Sequence, residues 1–206
     1  MVSYGYTYAA GLLAGAAVVT YLVGWPWAIP FYLLAAFCLN FFRDPEREMP
    51  SGPVAISPAD GKVMAVRQDD AGGSTISIFL NVFDVHVNRT PIPGRITSIV
   101  YKTGEFLNAA NPKASAANEQ NVFTVEGTVG GCATKVVFSQ IAGLIARRIV
   151  CYKKVGDVLQ PGERVGLMKF GSRMDVILGP EWQVMTTAGS RVTAVTSVIA
   201  RMKEAA

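Results

Sequence analysis

Gly162-Glu163-Arg164-Val165-Gly166-Leu167-Met168-Lys169-Phe170-Gly171-Ser172-Arg173-Met174-Asp175 is a run of strand-forming apolar residues interrupted by glycine. Glycine inside a strand pattern marks a bulge or a close backbone approach. It also leaves its own carbonyl the least shielded in the chain. A serine placed directly after it can turn its hydroxyl on that carbonyl and break its own backbone. The plainer reading of the Gly171-Ser172 pair is a turn, as for Gly73-Ser74 and Gly189-Ser190. What sets Gly171-Ser172 apart is its setting, with strand texture before it and Arg173 and Asp175 alternating after it.

The same texture extends over most of the chain. Short runs rich in Val, Ile, Thr and Phe fall at 63–66, 75–80, 96–101, 122–125, 135–139, 146–151, 164–170, 174–178 and 192–200, punctuated by glycine and proline. Short strands at this spacing predict a mainly β domain, a compact sandwich or barrel-like fold. Helical character after Pro50 is confined to a stretch around Leu107 to Ala117.

The N-terminus has a different composition. Charged residues make up 17% of the 206 residues, below the roughly 25% usual for soluble domains. None of them falls within residues 1–42. Ala9 to Val23 and Ala28 to Phe42 are apolar runs separated by Gly24-Trp25-Pro26-Trp27, where proline breaks a helix and tryptophan favours the headgroup level. Each run is shorter than the ~20 residues that cross a bilayer upright. The expectation is a membrane-anchoring helical hairpin over 1–42, spanning or re-entrant, followed by a second domain over 43–206. A buried core helix pair is the alternative. Arg43 and Arg47 follow the apolar segment and no cation precedes it, which places the domain at the cell membrane on the cytoplasmic face. A net charge of +4 suits an anionic surface or substrate and falls short of a nucleic-acid footprint. Cys38, Cys132 and Cys151 have no paired spacing, so neither a disulfide framework nor a metal site is expected.

Few residues can carry chemistry. His86 is the single histidine, so any imidazole-based proton transfer must use it. It alternates with Val85 and Val87 on a strand end ahead of a proline-rich turn, where a histidine is more often a structural residue than a proton carrier. Asp60, in Ser57-Pro58-Ala59-Asp60-Gly61, is either turn chemistry or the carboxylate that orients His86. Arg147-Arg148 interrupts an apolar run. An arginine held there either binds an anion such as phosphate or pairs with Asp175 or Glu163.

Taken together, Ser57-Pro58-Ala59-Asp60-Gly61, Asn81-Val82-Phe83-Asp84-Val85-His86-Val87-Asn88-Arg89, Ile141-Ala142-Gly143, Ala146-Arg147-Arg148-Ile149 and Gly162-Glu163-Arg164 leading into Phe170-Gly171-Ser172-Arg173 resemble the phosphatidylserine decarboxylases in their short form. The resemblance runs from about Arg43 to about Leu178, and the apolar pair before it resembles the family's membrane anchor. It departs at Arg89, where longer relatives carry a second histidine.

The resemblance implies a proenzyme that cleaves itself between Gly171 and Ser172. The products are residues 1–171 and residues 172–206, which begins with a pyruvoyl group derived from Ser172. The two fragments would remain together as a heterodimer, with further homo-oligomerisation left open. The pyruvoyl group would form a Schiff base with phosphatidylserine and release CO2 and phosphatidylethanolamine, a step of phospholipid biosynthesis that needs no metal. On this reading Ser172, His86 and Asp60 are catalytic, and Arg147, Arg148 and Arg89 bind the substrate's anionic groups. Two other readings stand beside it. One is a biotinyl- or lipoyl-type carrier using Lys169; the other is a non-catalytic membrane-anchored β scaffold.

Overall fold

The computed structural model describes residues 1–144, 148–169 and 171–203. They fall into two units, Met1–Glu46 and Arg47–Ala206. The first contains helices α1 (Ser3–Val23) and α2 (Trp25–Phe41), which break at Gly24, where φ is +110°. Helix α1 reaches back beyond the apolar run to Ser3. Its 21 residues are apolar and long enough to cross a membrane, and they exceed the length expected from the run. Helix α2 has 17 residues, with Pro30 in its interior.

The second unit is mainly β. In chain order it contains β1 (Val54–Ile56), β2 (Gly61–Gln68), β3 (Ser74–Leu80), β4 (Val87–Arg89), β5 (Gly94–Lys102), helix α3 (Ala114–Ala117), β6 (Gln120–Val129) and β7 (Cys132–Ile141). Then follow β8 (Ile149–Cys151), β9 (Val158–Leu159), β10 (Arg164–Met168), β11 (Ser172–Leu178), β12 (Trp182–Val184), β13 (Arg191–Val192) and β14 (Val198–Met202). A curled antiparallel sheet of eight strands runs in the order β13-β2-β3-β11-β7-β6-β5-β9. Two three-stranded sheets, β1-β14-β12 and β4-β10-β8, supply the rest.

One core joins the three sheets. Ile76, Ile78, Phe123, Phe138, Met174 and Val176 from the large sheet share it with Ala55, Ile199, Val165 and Met168 from the small ones. Phe123 and Phe138 stack at 4.9 Å between ring centroids. Burying each such side chain stabilises the fold by about 1.5–3 kcal/mol.

Two expected elements differ. The helix around 107–117 shrinks to one turn, Ala114–Ala117. The run 192–200 divides into β13 and β14 because Thr193–Ser197 folds into a tight turn, with the Ser197 hydroxyl accepting from the Thr193 N–H at 2.9 Å.

Strand β11 is central to the large sheet. It pairs with β3 from Ser172↔Leu80 to Leu178↔Ser74, and with β7 from Arg173↔Ile141 to Leu178↔Val136. Side chains alternate across a strand, so Met174, Val176 and Leu178 enter the core while Arg173 and Asp175 take the other face. There Arg173 is bound by Asp175 (2.7 Å) and Ser77 (2.6 Å), and Ser115 donates to Asp175 at 2.7 Å. This pairing pins the register of a strand whose first residue is Ser172.

Candidate active site

The antiparallel pairing of β4 with β10 brings His86 to Gly171. Leu167 pairs with Val87, and the next rung is the Met168 N–H donating to the His86 carbonyl at 3.2 Å. Beyond that rung the chain turns through Gly171, whose φ is +61°. Such a left-handed conformation favours glycine. The Gly171 N–H donates to His86 Nε2 at 3.3 Å. On the other side of the ring, Nδ1 lies 2.9 Å from the main-chain carbonyl of Asp84. A carbonyl can only accept, so Nδ1 carries the proton and Nε2 presents a lone pair. The imidazole is fully buried.

The carbonyl of Gly171 is enclosed from another direction. It lies where a side chain on Gly143 would have to be. Gly143 follows Ala142, whose carbonyl accepts from Asn118 Nδ2 at 2.8 Å. Asn118 also bonds Leu107 through both its amide groups, donating at 2.8 Å and accepting at 3.0 Å. Ser172 is fully buried at the head of β11, and its hydroxyl has no hydrogen-bond partner among the described residues. Buried hydroxyls are ordinarily bonded. An enclosed, unbonded hydroxyl thus stands next to a glycine carbonyl, one residue from the N–H that His86 Nε2 accepts.

The remaining expected residues are distributed unevenly. Asp60 holds Arg47 through both carboxylate oxygens (2.5 and 2.8 Å) and accepts from the Ala194 N–H at 2.8 Å. The expected Asp60–His86 pair is thus replaced by the Asp84 carbonyl as the group that orients the ring. The same ion pair removes Arg47 from the cations free to face a membrane. Arg89 is half-buried and donates to the Gly162 carbonyl at 2.9 Å. Arg148 is exposed just before β8, and Arg147 lies outside the described residues. Asp175 and Glu163, their suggested structural partners, bond Arg173 and Lys153. Lys169 is buried at 8% exposure, which denies the carrier reading an accessible lysine at a turn.

Two participants were not singled out from the sequence. Asp84 follows Asn81 at the spacing of a side-chain-bonded turn. Its carboxylate accepts the Asn81 N–H at 2.8 Å. That signal was present in the sequence. Asn118 has no local signal, since its partners Leu107 and Ala142 are brought to it by the fold.

A β fold with a buried serine, an imidazole and a glycine carbonyl at one strand head defines the class, and comparison with known proteins supplies the family. The phosphatidylserine decarboxylase family model matches residues 34–200. The phosphatidylserine decarboxylase proenzyme of Solibacter usitatus (strain Ellin6076) is 58% identical over 201 residues, covering 98% of this chain and 96% of the relative. The proenzyme of Ralstonia pickettii (strain 12J) is 43% identical over 204 residues, covering 96% of this chain and 94% of the relative. That of Neisseria gonorrhoeae (strain NCCP11945) is 41% identical over 204 residues, covering 96% of this chain and 77% of the relative. The chain belongs to the phosphatidylserine decarboxylase family.

Proposed function

We propose that the chain is a phosphatidylserine decarboxylase proenzyme that cuts itself between Gly171 and Ser172. The observation that carries this reading is the buried, unbonded Ser172 hydroxyl beside Gly171, with the lone pair of His86 Nε2 directed at the Gly171 amide. In the proposed step His86 Nε2 releases the Gly171 N–H and takes the Ser172 Oγ proton, and Oγ attacks the Gly171 carbonyl carbon. The proton passes to the Ser172 nitrogen as the acyl group moves from nitrogen to oxygen. β-Elimination of the ester releases 1–171 as a carboxylate and leaves dehydroalanine at residue 172. Addition of water and loss of ammonia convert that residue to pyruvoyl.

The surroundings suit a group made from residue 172 itself. Its hydroxyl is committed to no other partner among the described residues, and Gly143 leaves room for the Gly171 carbonyl. The strand pairings favour retention of the new chain after the cut. β11 lies between β3 and β7, β13 pairs with β2, and β14 pairs with β1.

A pyruvoyl group at residue 172 would supply the electron sink for loss of the substrate carboxylate, the job pyridoxal phosphate performs elsewhere. His86 is assigned the proton delivered to the substrate Cα, and burial of the site limits competing water. Arg89, Arg147 and Arg148 are assigned to the phosphate and carboxylate of the substrate. Asp60 is assigned a positioning role, holding Arg47 and Ala194 at the start of β2. The apolar N-terminal unit is read as the membrane anchor, with the catalytic unit on the cytoplasmic face.

Intact-mass measurement of the full chain after membrane expression tests the proposal. Two species cut at Gly171-Ser172 are expected, the second with its N-terminal amine replaced by a keto group. Ser172→Ala should give one uncut, folded and inactive chain. Decarboxylation of phosphatidylserine by Ser172→Ala would refute the mechanism.

A further inference from the structure

Three chain segments meet at one end of the central strands of the eight-stranded sheet. β11 starts there at Ser172, and its antiparallel neighbours end there, β3 at Leu80 and β7 at Ile141. The loop after β3 leads to His86 and the loop after β7 contains Gly143, so both border Gly171. Each loop also directs a large apolar side chain into solvent. Phe83 is 69% exposed and Leu144 is 61% exposed, the highest values for large hydrophobic residues of the second unit among the described residues.

The bases of these loops are anchored. The Phe83 N–H donates to the Asn81 side chain at 2.8 Å, and Asn118 holds Ala142. Single exposed apolar residues need no explanation. Two such residues, one on each loop beside a fully buried reaction centre, form a pattern. Cations accompany them. Arg191 is bonded to Asp84, next in the chain to Phe83, with 64% of its side chain exposed. Arg148 and Lys62 are also exposed. The carboxylate next to Phe83, Asp84, is engaged with Arg191.

We propose that this end of the strands is the membrane-docking face of the catalytic unit, with Phe83 and Leu144 entering the interfacial layer of a bilayer that contains anionic phospholipid. Lys62, Arg148 and Arg191 then lie at headgroup level, where each basic side chain is attracted to an anionic surface. A lipid headgroup reaches residue 172 while its acyl chains stay in the bilayer, which matches a buried centre whose bordering loops carry apolar tips. The inference rests on the decarboxylase reading for what happens to the headgroup; insertion of the loops is a separate physical event.

The test uses the full-length protein in vesicles of phosphatidylcholine and phosphatidylserine, with Cys38, Cys132 and Cys151 replaced by serine. Nitroxide labels are placed at Phe83→Cys or Leu144→Cys, and at Val158→Cys on the outermost strand β9 as a control. Labels at 83 and 144 should be more accessible to oxygen than to a water-soluble nickel chelate, and the label at 158 the reverse. Equal behaviour at all three positions would overturn the proposal. In parallel, the Phe83→Ser/Leu144→Ser double variant should cleave normally and lose about ten-fold or more of its turnover on vesicle phosphatidylserine. It should remain within about two-fold of wild type on monomeric short-chain phosphatidylserine. Equal losses on both substrates, or none on vesicles, would also overturn it. A wild-type chain inactive on both substrates but with labels buried in lipid would refute the decarboxylase reading and leave the docking face intact.

Discussion

The carbonyl oxygen of Gly171 occupies the space that a side chain on Gly143 would fill. The obstacle to a larger residue is main chain and cannot swing away as a side-chain tip could. Gly143→Ala must therefore displace either the loop after β7 or the bond between Gly171 and Ser172. A shift of about 1 Å at a reacting centre costs on the order of 10²-fold in rate. Gly143→Ala should fold, retain its β content by circular dichroism and cleave about 100-fold more slowly, measured as the appearance of the 1–171 and 172–206 fragments.

His86 has one nitrogen donating to the Asp84 carbonyl and the other accepting from Gly171. Protonation would turn Nε2 into a second donor facing an N–H group, and would remove the lone pair that the proposed cleavage needs. His86→Ala should lose about 10²–10⁴-fold in cleavage and, in any cleaved fraction, in turnover. The two rates should be measured separately across pH. Normal cleavage with lost turnover would confine His86 to proton delivery at Cα.

The arginines are expected to act in binding. Arg148→Ala, Arg147→Ala and Arg89→Ala should mainly raise KM with kcat little changed, because a phosphate contact contributes alike in ground and transition states. Arg89 also donates to the Gly162 carbonyl, so its variant should lose some stability as well. Unchanged KM in all three would remove these residues from substrate recognition.

Glu163 links stability to pH. The hydrogen bond from Lys153, and secondarily that from the Gln160 N–H, holds its carboxyl below the usual carboxylate range. The folded pKa is depressed, so the stabilisation is present above the unfolded value of about 4.3 and is lost as pH falls through the folded value. The Glu163 side chain is 32% exposed, which limits the pair to about 0–1 kcal/mol. Glu163→Gln should lower Tm by a few degrees at most near neutral pH, and the gap to wild type should close once the pH has fallen through the depressed folded value.

Local chemistry was enough to read the β class and the helical pair from the sequence. Residues 75–80, 122–125, 135–139 and 174–178 read as strands, and each lies inside a longer strand of the large sheet. The short strands β1, β9 and β12 were not legible. Two or three residues carry too little periodicity and become strands through their partners.

Sequence by itself determined which residues were available for the chemistry: one histidine, a serine after a glycine, and glycines able to tolerate close approach. It could do so because side-chain type and backbone freedom are properties of single residues. Only the tertiary structure decided which of them meet. The β4–β10 pairing carries His86 to Gly171. The β11–β7 pairing carries Gly143 to the same carbonyl. Asp60, a candidate from the sequence to orient the ring, turns to Arg47 and Ala194, and a main-chain carbonyl takes that place. The physical reason is that these contacts are non-local. Their partners are set by strand register and by the shared core, and no window of sequence contains both ends of such a pairing.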